Sequence, residues 1–339
     1  MSESTFKAVN SYLKGSPNAA ATDRDTAQKV LTKFVAQNED PKASPNFAAQ
    51  GGDDMKFLIK LARHPAVDEN AALGLLILKT FKILSRKHDN RIAFGAEGIR
   101  SVVRFLSAPL NTRIAGEGAN VILNICYEKD NVEHVLKSDG VIPLVAFLET
   151  PDLDLQANAA GAIQSICFQE QGRISVRECN AIPAIIKLLD CDNQKVQTRA
   201  VGAVHNMSSD PEAIRTIRRK NGIPHLIRLL SSEASAICGS AAGALQNVSR
   251  EVASRQLIRD GGAVPPLSAL LFGTDMQAQV CAAGALLNIL GPELGENQKT
   301  GARKGFGKIL SLCLVVGMAY ECLFDESSQS CLYDFLDDA

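Results

Sequence analysis

The sequence Ala-Ala-Gly-Ala-Leu-Gln-Asn-Val-Ser, at residues 241–249, is one copy of a segment that returns along the chain at a constant spacing. Its asparagine, Asn247, is one of five positions separated by four consecutive intervals of 41 residues. These positions are Asn124, Ser165, Asn206, Asn247 and Asn288. A repeat of this length predicts an array of stacked units, because a single unit cannot bury its own apolar face.

A second segment recurs in the same phase as the first. Each copy is a proline followed by an apolar run with the spacing of a helix. The copies begin at Pro143, Pro183, Pro224 and Pro265. Asparagine or glycine before the proline ends one helix, and the proline lies in the first turn of the next, where its missing N–H does no harm. One unit is therefore predicted to contain a first helix at Glu212–Lys220, a second at Pro224–Leu230 and a third at Ala236–Ser249.

The segments at 222–230 and 241–247 resemble the second and third helices of the armadillo repeat. The resemblance is strong from Asn90 to Gly291, where several landmarks recur in one phase. It implies an all-α fold, namely a right-handed α-solenoid of armadillo repeats with three helices in each unit of about 41 residues. It also implies a concave groove lined by the third helices.

The repeat pattern becomes weaker toward both ends of the chain. We expect degenerate capping units there, because terminal repeats need a polar outer face. Predicted helical segments in these units include Asp25–Gln37, Leu73–Ser85 and Asn297–Val316. The predicted domains are a flexible N-terminus at 1–22, the solenoid at 23–324 and an acidic C-terminal tail at 325–339.

The composition disfavours several classes of function. Lysine and arginine number 36 and aspartate and glutamate 37, so the basic excess typical of a nucleic-acid-binding protein is missing. The nine cysteines contain no CxxC pair, which favours reduced thiols in the cytoplasm, or in the nucleus as well. The longest apolar stretch, Ile309–Tyr320, is shorter than a bilayer requires, so no membrane insertion is expected.

The sequence contains no recognisable catalytic constellation. Residues Gly301–Lys308 are rich in glycine and lysine but lack the GxxxxGK[ST] spacing of a phosphate loop. His205 is a lone histidine, and such residues are more commonly structural than catalytic. We therefore expect no enzymatic activity and no cofactor.

The resemblance to armadillo repeats implies a surface that binds protein. In family members with known partners, the recurrent asparagine hydrogen-bonds the backbone of an extended peptide, which a carboxamide does as both donor and acceptor. The implied partner-binding residues are Asn124, Asn206, Asn247 and Asn288. The same amides could instead bond neighbouring loops within the array, and both interpretations stay open. Ser165 interrupts the series.

Residues three or four positions apart share a helix face. In the degenerate early repeat this geometry adds the candidates Lys79, Lys82 and Arg86, and in the following repeats it adds Asn120, Tyr127, Asn158, Phe168, Arg199 and Arg250. The groove is thus predicted to be basic at its N-terminal end, which suits an acidic partner segment. The alternative is an ordinary solvated charged face.

The position four residues before each asparagine separates branches of the family. Nuclear-import adaptors carry tryptophan there, whereas this chain contains no tryptophan. The chain is more similar to the β-catenin, plakophilin and armadillo-only branches. We expect a non-enzymatic scaffold that binds an extended or helical segment of a partner protein in the groove. A regulator of a small GTPase, or a chaperone co-factor, is the alternative function.

Overall fold

The computed structural model describes residues 21–40 and 52–296. These residues are helical, with turns between the helices and no strand, which confirms the predicted all-α class. The helices that precede the regular repeats are α1 (Ala21–Asn38), α2 (Gly52–Ala62), α3 (Pro65–Asp68) and α4 (Ala71–Leu84). Of these, α1 and α4 are the helices predicted at Asp25–Gln37 and Leu73–Ser85.

Each regular repeat contains a first, a second and a third helix. The first helices are α5 (His88–Ala93), α8 (Lys129–Lys137), α11 (Glu170–Glu178), α14 (Pro211–Arg219) and α17 (Val252–Asp260). The second helices are α6 (Gly95–Ser107), α9 (Val141–Phe147), α12 (Ala181–Leu188), α15 (Gly222–Leu229) and α18 (Val264–Leu270). The third helices are α7 (Thr112–Ile125), α10 (Leu153–Ile166), α13 (Gln194–Met207), α16 (Ser235–Val248) and α19 (Met276–Glu296). In α14, α15 and α16 each helix begins and ends one or two residues before its predicted bounds, and three helices per repeat are confirmed.

The turn between the first and second helix uses a left-handed residue in four successive repeats. These residues are Asp139 (φ 56°), Asn180 (φ 56°), Asn221 (φ 59°) and Gly262 (φ 79°). Aspartate, asparagine and glycine tolerate this conformation better than other residues do. The sequence predicted asparagine or glycine at this turn, but in one repeat the turning residue is Asp139. Gly140 has φ −69° there and is instead required for space, since a Cβ would lie 2.9 Å from Val103.

Three successive third helices begin at a residue whose side chain caps the helix. The side chains of Asn111, Asp152 and Asn193 accept hydrogen bonds from backbone N–H groups in the first turns of α7, α10 and α13. Such caps satisfy donors that have no partner inside the helix. The equivalent residue before α16 is Ala234, which has no side-chain oxygen and makes no cap bond.

The described residues divide into two compact units, the first ending at Ala184 and the second beginning at Ile185. Within the first unit, α1, α4, α7 and α10 pack in succession. Within the second unit, α13, α16 and α19 do the same. In both units these long helices bring alanine and branched aliphatic side chains into a buried core, whose burial is the main stabilising contribution.

Two glycines of the recurrent Ala-Gly cluster make room for a side chain of the preceding third helix. A Cβ at Gly243 would lie 2.5 Å from the imidazole of His205. A Cβ at Gly284 would lie 2.2 Å from the carboxamide of Gln246. At these two positions the chain uses glycine because a neighbouring side chain already fills the space that a Cβ would occupy.

Several predictions concern residues outside the described part. These are most of the N-terminus at 1–22, the helical segments between Asn297 and Phe324, and the acidic tail at 325–339. The domain boundaries therefore stay predictions. Among the described helices, none combines the length and the apolar character that crossing a bilayer requires.

Candidate functional site

Three of the recurrent asparagines tie their third helix to the serine that follows the preceding third helix. At each of these three positions the amide nitrogen donates to the serine hydroxyl. The bonds are Asn124 to Ser85 (3.1 Å), Asn247 to Ser208 (3.1 Å) and Asn288 to Ser249 (3.0 Å). The separation in sequence is 39 residues each time. The interpretation that these amides brace neighbouring repeats is therefore supported at three positions.

The serine hydroxyls complete this tie. Ser85, Ser208 and Ser249 are almost fully buried, and each donates its proton to the carbonyl oxygen three residues earlier. Each hydroxyl thus donates to a carbonyl oxygen at the end of its own helix and accepts a hydrogen bond from the asparagine of the next repeat. Asn247 and Asn288 also point a second N–H toward the carbonyl oxygens of His205 and Gln246, at 3.5 and 3.3 Å. All these buried polar groups find partners, as a stable interior requires.

The amides differ in what they can still offer to a partner. Asn124 and Asn288 are partly exposed, and their carboxamide oxygens accept no hydrogen bond from the described residues. Asn247 is only 7% exposed. Asn206 is half-buried on α13. Because a carboxamide has separate donor and acceptor ends, Asn124 and Asn288 can brace with the N–H and accept from a peptide N–H with the oxygen.

The basic residues predicted at the N-terminal end of the surface already have partners. Lys79 pairs with Glu39 at 2.7 Å, and Lys82 pairs with Glu117 at 2.8 Å. The Lys79 ammonium holds the pKa of Glu39 below its ordinary value, chiefly by hydrogen bonding. These contacts join helices far apart in sequence, so periodicity alone did not reveal the two carboxylates.

Arg86 forms hydrogen bonds with the backbone at the C-terminal end of α1. Its guanidinium donates to the carbonyl oxygens of Asn38 (2.8 Å) and Glu39 (2.6 Å). A cation at this point also compensates the partial negative charge of a helix C-terminus. The N-terminal end of the surface thus carries cations and carboxylates together, and its net positive charge is smaller than the sequence indicated.

Two predicted aromatic residues come together at the surface of the first unit. Tyr127 is 57% exposed and Phe168 is 53% exposed. Their ring centroids are 6.3 Å apart, with an angle of 32° between the planes. Both residues lie two positions beyond a third helix, and they are separated by one repeat length. Large aromatic side chains in contact and open to solvent are typical of protein-binding surfaces.

The other predicted residues lie on or beside the third helices. Asn158 donates to the carbonyl oxygen of Gly116 at 3.1 Å and so braces α10 against α7. Asn120 is half-buried on α7, Arg199 is half-buried on α13, and Arg250 is exposed beyond α16. Their role in binding a partner stays a prediction.

The pKa shifts of the buried cysteines and of His205 favour a structural role for these side chains. Burial raises the pKa of the thiols of Cys126 and Cys167, which keeps them protonated and poorly nucleophilic. Burial also lowers the pKa of His205, so the imidazole is neutral near pH 7. The part of the chain that the structure describes holds no group of three or more His, Cys, Asp or Glu placed to bind a metal ion.

Comparison with protein families identifies the repeat. The family model described as Armadillo/beta-catenin-like repeat matches residues 128–168, 169–209 and 210–250. These three consecutive matches, each of one repeat length, lie within the part of the chain with the most regular helices. No curated protein sequence matches the chain.

Solved structures agree with the family match. One engineered protein has a TM-score of 0.65 and 26% identity, covering 70% of this chain and 97% of its own. A second has a TM-score of 0.71 and 24% identity, covering 83% of this chain and 68% of its own. A designed armadillo repeat protein has a TM-score of 0.63 and 20% identity, covering 68% of this chain and 98% of its own. Residues 128–250 are therefore armadillo repeats, as the sequence predicted, and the described fold is similar to that of armadillo-repeat structures.

Proposed function

We propose that the chain is a scaffold that binds a segment of another protein on the third-helix surface of its first unit. This surface comprises the exposed faces of α4, α7 and α10 and the residues that directly follow them. The observation that carries the proposal is the exposed ring pair of Tyr127 and Phe168. Two solvated aromatic rings contribute little to folding, whereas covering them with a partner removes a large apolar area from water.

Polar groups beside the ring pair suit the backbone of a partner segment. The carboxamide oxygen of Asn124 is available as an acceptor, and Asn120 lies one helical turn away on α7. A packed array also orders its half of the interface in advance, so only the partner loses conformational freedom. One designed armadillo repeat protein was solved with the peptide (KR)4, so peptide binding is compatible with this fold.

This surface selects only weakly for the charge of the partner segment. Lys79 and Lys82 are each paired with a carboxylate, so they attract an acidic segment less than free cations would. We therefore expect apolar anchoring at the rings to dominate, with a modest preference for acidic flanking residues. Raising the salt concentration should weaken binding only slightly.

Affinity capture with the full chain followed by mass spectrometry tests this proposal. The test variant is Tyr127→Ala combined with Phe168→Ala. The matched control is Phe272→Ala, because Phe272 is 78% exposed and lies in the second unit. Loss of a paired aromatic anchor should reduce partner recovery about tenfold, while the control should match the wild type. Equal recovery by both variants would contradict the proposed surface.

A second pair of variants separates binding from bracing. Asn124→Ala removes a partly exposed amide, and Asn247→Ala removes a buried one. If the carboxamide oxygen contacts the partner, Asn124→Ala should lower affinity in isothermal titration with the captured partner. Asn247→Ala should lower the melting temperature and leave that affinity unchanged.

A further inference from the structure

A groove on the first unit brings three arginines together, away from the third helices. It is formed mainly by α6, the turn after α2 and the end of α8, and its volume is about 400 Å³. Its lining includes Arg63, Arg100 and Arg104. Arg63, in the turn after α2, and Arg104, on α6, are separated by one repeat length of 41 residues, and Arg100 lies one helical turn before Arg104.

The three guanidinium groups differ in how firmly they are held. Arg104 pairs with Asp68 at 2.8 Å and also donates to the backbone carbonyl of Ala62. Arg63 pairs with Glu97 at 3.0 Å. Arg100 is exposed and makes no ion pair or hydrogen bond with the residues at 21–40 and 52–296. The two ion pairs are solvent-exposed and therefore weak, so they orient the arginines without saturating them.

One of the two hydroxyl groups that α6 contributes to this groove presents an acceptor. Ser101 donates its proton to the carbonyl oxygen of Glu97 at 2.8 Å, and Ser107 donates to that of Val103 at 3.1 Å. Ser101 is only 2% exposed, whereas Ser107 is exposed, so the Ser107 oxygen remains as an acceptor for an incoming N–H. The groove thus combines cationic donors with one acceptor on α6.

We propose that this groove binds a phosphorylated serine or threonine within a segment of a partner protein. A phosphate monoester carries nearly two negative charges and matches the forked geometry of arginine. The three arginines face two carboxylates, which leaves a net charge of about +1 before the ligand binds. The Ser107 oxygen accepts a hydrogen bond from a backbone N–H group of the segment, which a free phosphate ion does not have.

The same observations disfavour a membrane as the occupant. A lipid headgroup is reached most easily by protruding cations, whereas Arg63 and Arg104 lie beside the carboxylates of Glu97 and Asp68. An anionic bilayer would bring many charges against those carboxylates, while a single phosphate on a flexible segment need not.

A neighbouring groove provides a matched control. It lies between α8 and α11, with a volume of about 500 Å³. Its charged lining is balanced, with Lys129 and Lys137 facing Glu133 and Glu170. It therefore resembles the arginine groove in size and unit but lacks the positive excess.

The test measures retention of peptide libraries by the immobilised full chain. One library has randomised dodecapeptides with a fixed central phosphoserine, and the other has serine at that position. The wild type should retain the phosphoserine library about tenfold better. Arg100→Ala should remove most of this preference, and Lys129→Ala should leave it intact. Circular dichroism checks that each variant is folded.

Several outcomes would overturn the proposal. They are equal retention of the two libraries, retention unaffected by Arg100→Ala, competition by inorganic phosphate as effective as by phosphopeptide, and stronger binding to phosphatidylinositol-phosphate vesicles than to the peptides. The proposal is independent of the ring pair, so the double variant of Tyr127 and Phe168 should still prefer the phosphoserine library.

Discussion

The third-helix surfaces of the two units differ, although both are built on the same tie between asparagine and serine. In the first unit, exposed Tyr127 and Phe168 follow two successive third helices. In the second unit, the same repeat position holds Ser209 and Arg250, which are also exposed. The buried tie is therefore repeated between units, while the solvent-facing position just beyond it varies.

This difference separates packing from recognition. A buried residue in an array must fit the neighbouring repeat, so similar residues recur at one spacing. An exposed residue has no such constraint and can differ from repeat to repeat. The buried residues that recur in both units thus indicate which contacts stabilise the fold. The exposed residues that differ between the units are better candidates for contacts with a partner.

The strongest test of this comparison concerns two glycines in unlike surroundings. In the first unit, a Cβ at Gly172 would lie 2.0 Å from the backbone oxygen of Ile166. In the second unit, the three atoms nearest to a Cβ at Gly243 all belong to the side chain of His205. Because backbone yields less than a side chain, Gly172→Ala should cost about 3 kcal/mol and Gly243→Ala about 1 kcal/mol. Urea unfolding followed by circular dichroism measures both.

Gly239→Ala is the control for these substitutions. The nearest atom to its added Cβ would be 3.6 Å away, an ordinary contact, and the residue lies within α16. Alanine is favoured over glycine in a helix interior, so this variant should be neutral or slightly stabilised. An equal loss in all three variants would show that the glycines act through backbone flexibility and not through space.

The ties themselves should differ in strength between the units. Asn247→Ala leaves a nearly buried hydroxyl without its donor and should cost about 1.5 kcal/mol. Asn124→Ala, at a more solvated site, should cost about 0.5 kcal/mol. Thermal unfolding of each single variant decides the order. If Asn124→Ala is the more damaging, burial does not control the strength of the tie.

The missing cap before α16 offers a gain in stability. Ala234 has the extended backbone (φ −81°, ψ 109°) that is nearly identical to that of the capping residue Asn193 (φ −76°, ψ 109°). Ala234→Asp should therefore stabilise the second unit by about 1 kcal/mol. Asn193→Ala is the reciprocal variant and should lose a similar amount. Melting temperatures that do not move in opposite directions would contradict this account.

The smallest expected effect is a pH dependence in the second unit. Because burial lowers the folded-state pKa of His205, the unfolded chain binds the proton more readily. Stability should therefore fall as the pH drops through the ordinary histidine pKa of about 6.5. His205→Gln introduces glutamine, the residue found one repeat later at Gln246. This variant should reduce the slope of melting temperature against pH between 7.5 and 5.5. An unchanged slope would show that other groups cause the pH dependence.

Periodicity predicted much of the fold but little of the bonding within it. The 41-residue spacing located every regular third helix, and Asn221 marked the left-handed turn before α15. The spacing of 39 residues between each of these asparagines and its serine is also present in the sequence, but the spacing alone does not indicate a hydrogen bond. Ion pairs such as Lys82 with Glu117 follow no repeat at all.

The sequence alone was enough to predict the armadillo repeat, the three helices of each unit and which residues share a helix face. Those properties depend on local spacing, on proline and glycine, and on apolar periodicity, which act over one or two turns of helix. The packing of the helices was needed to show which amides brace serines, which cations are already paired, and that two aromatic rings and three arginines come together. Such contacts join residues from separate helices, and the side chains that meet there are selected by packing between helices.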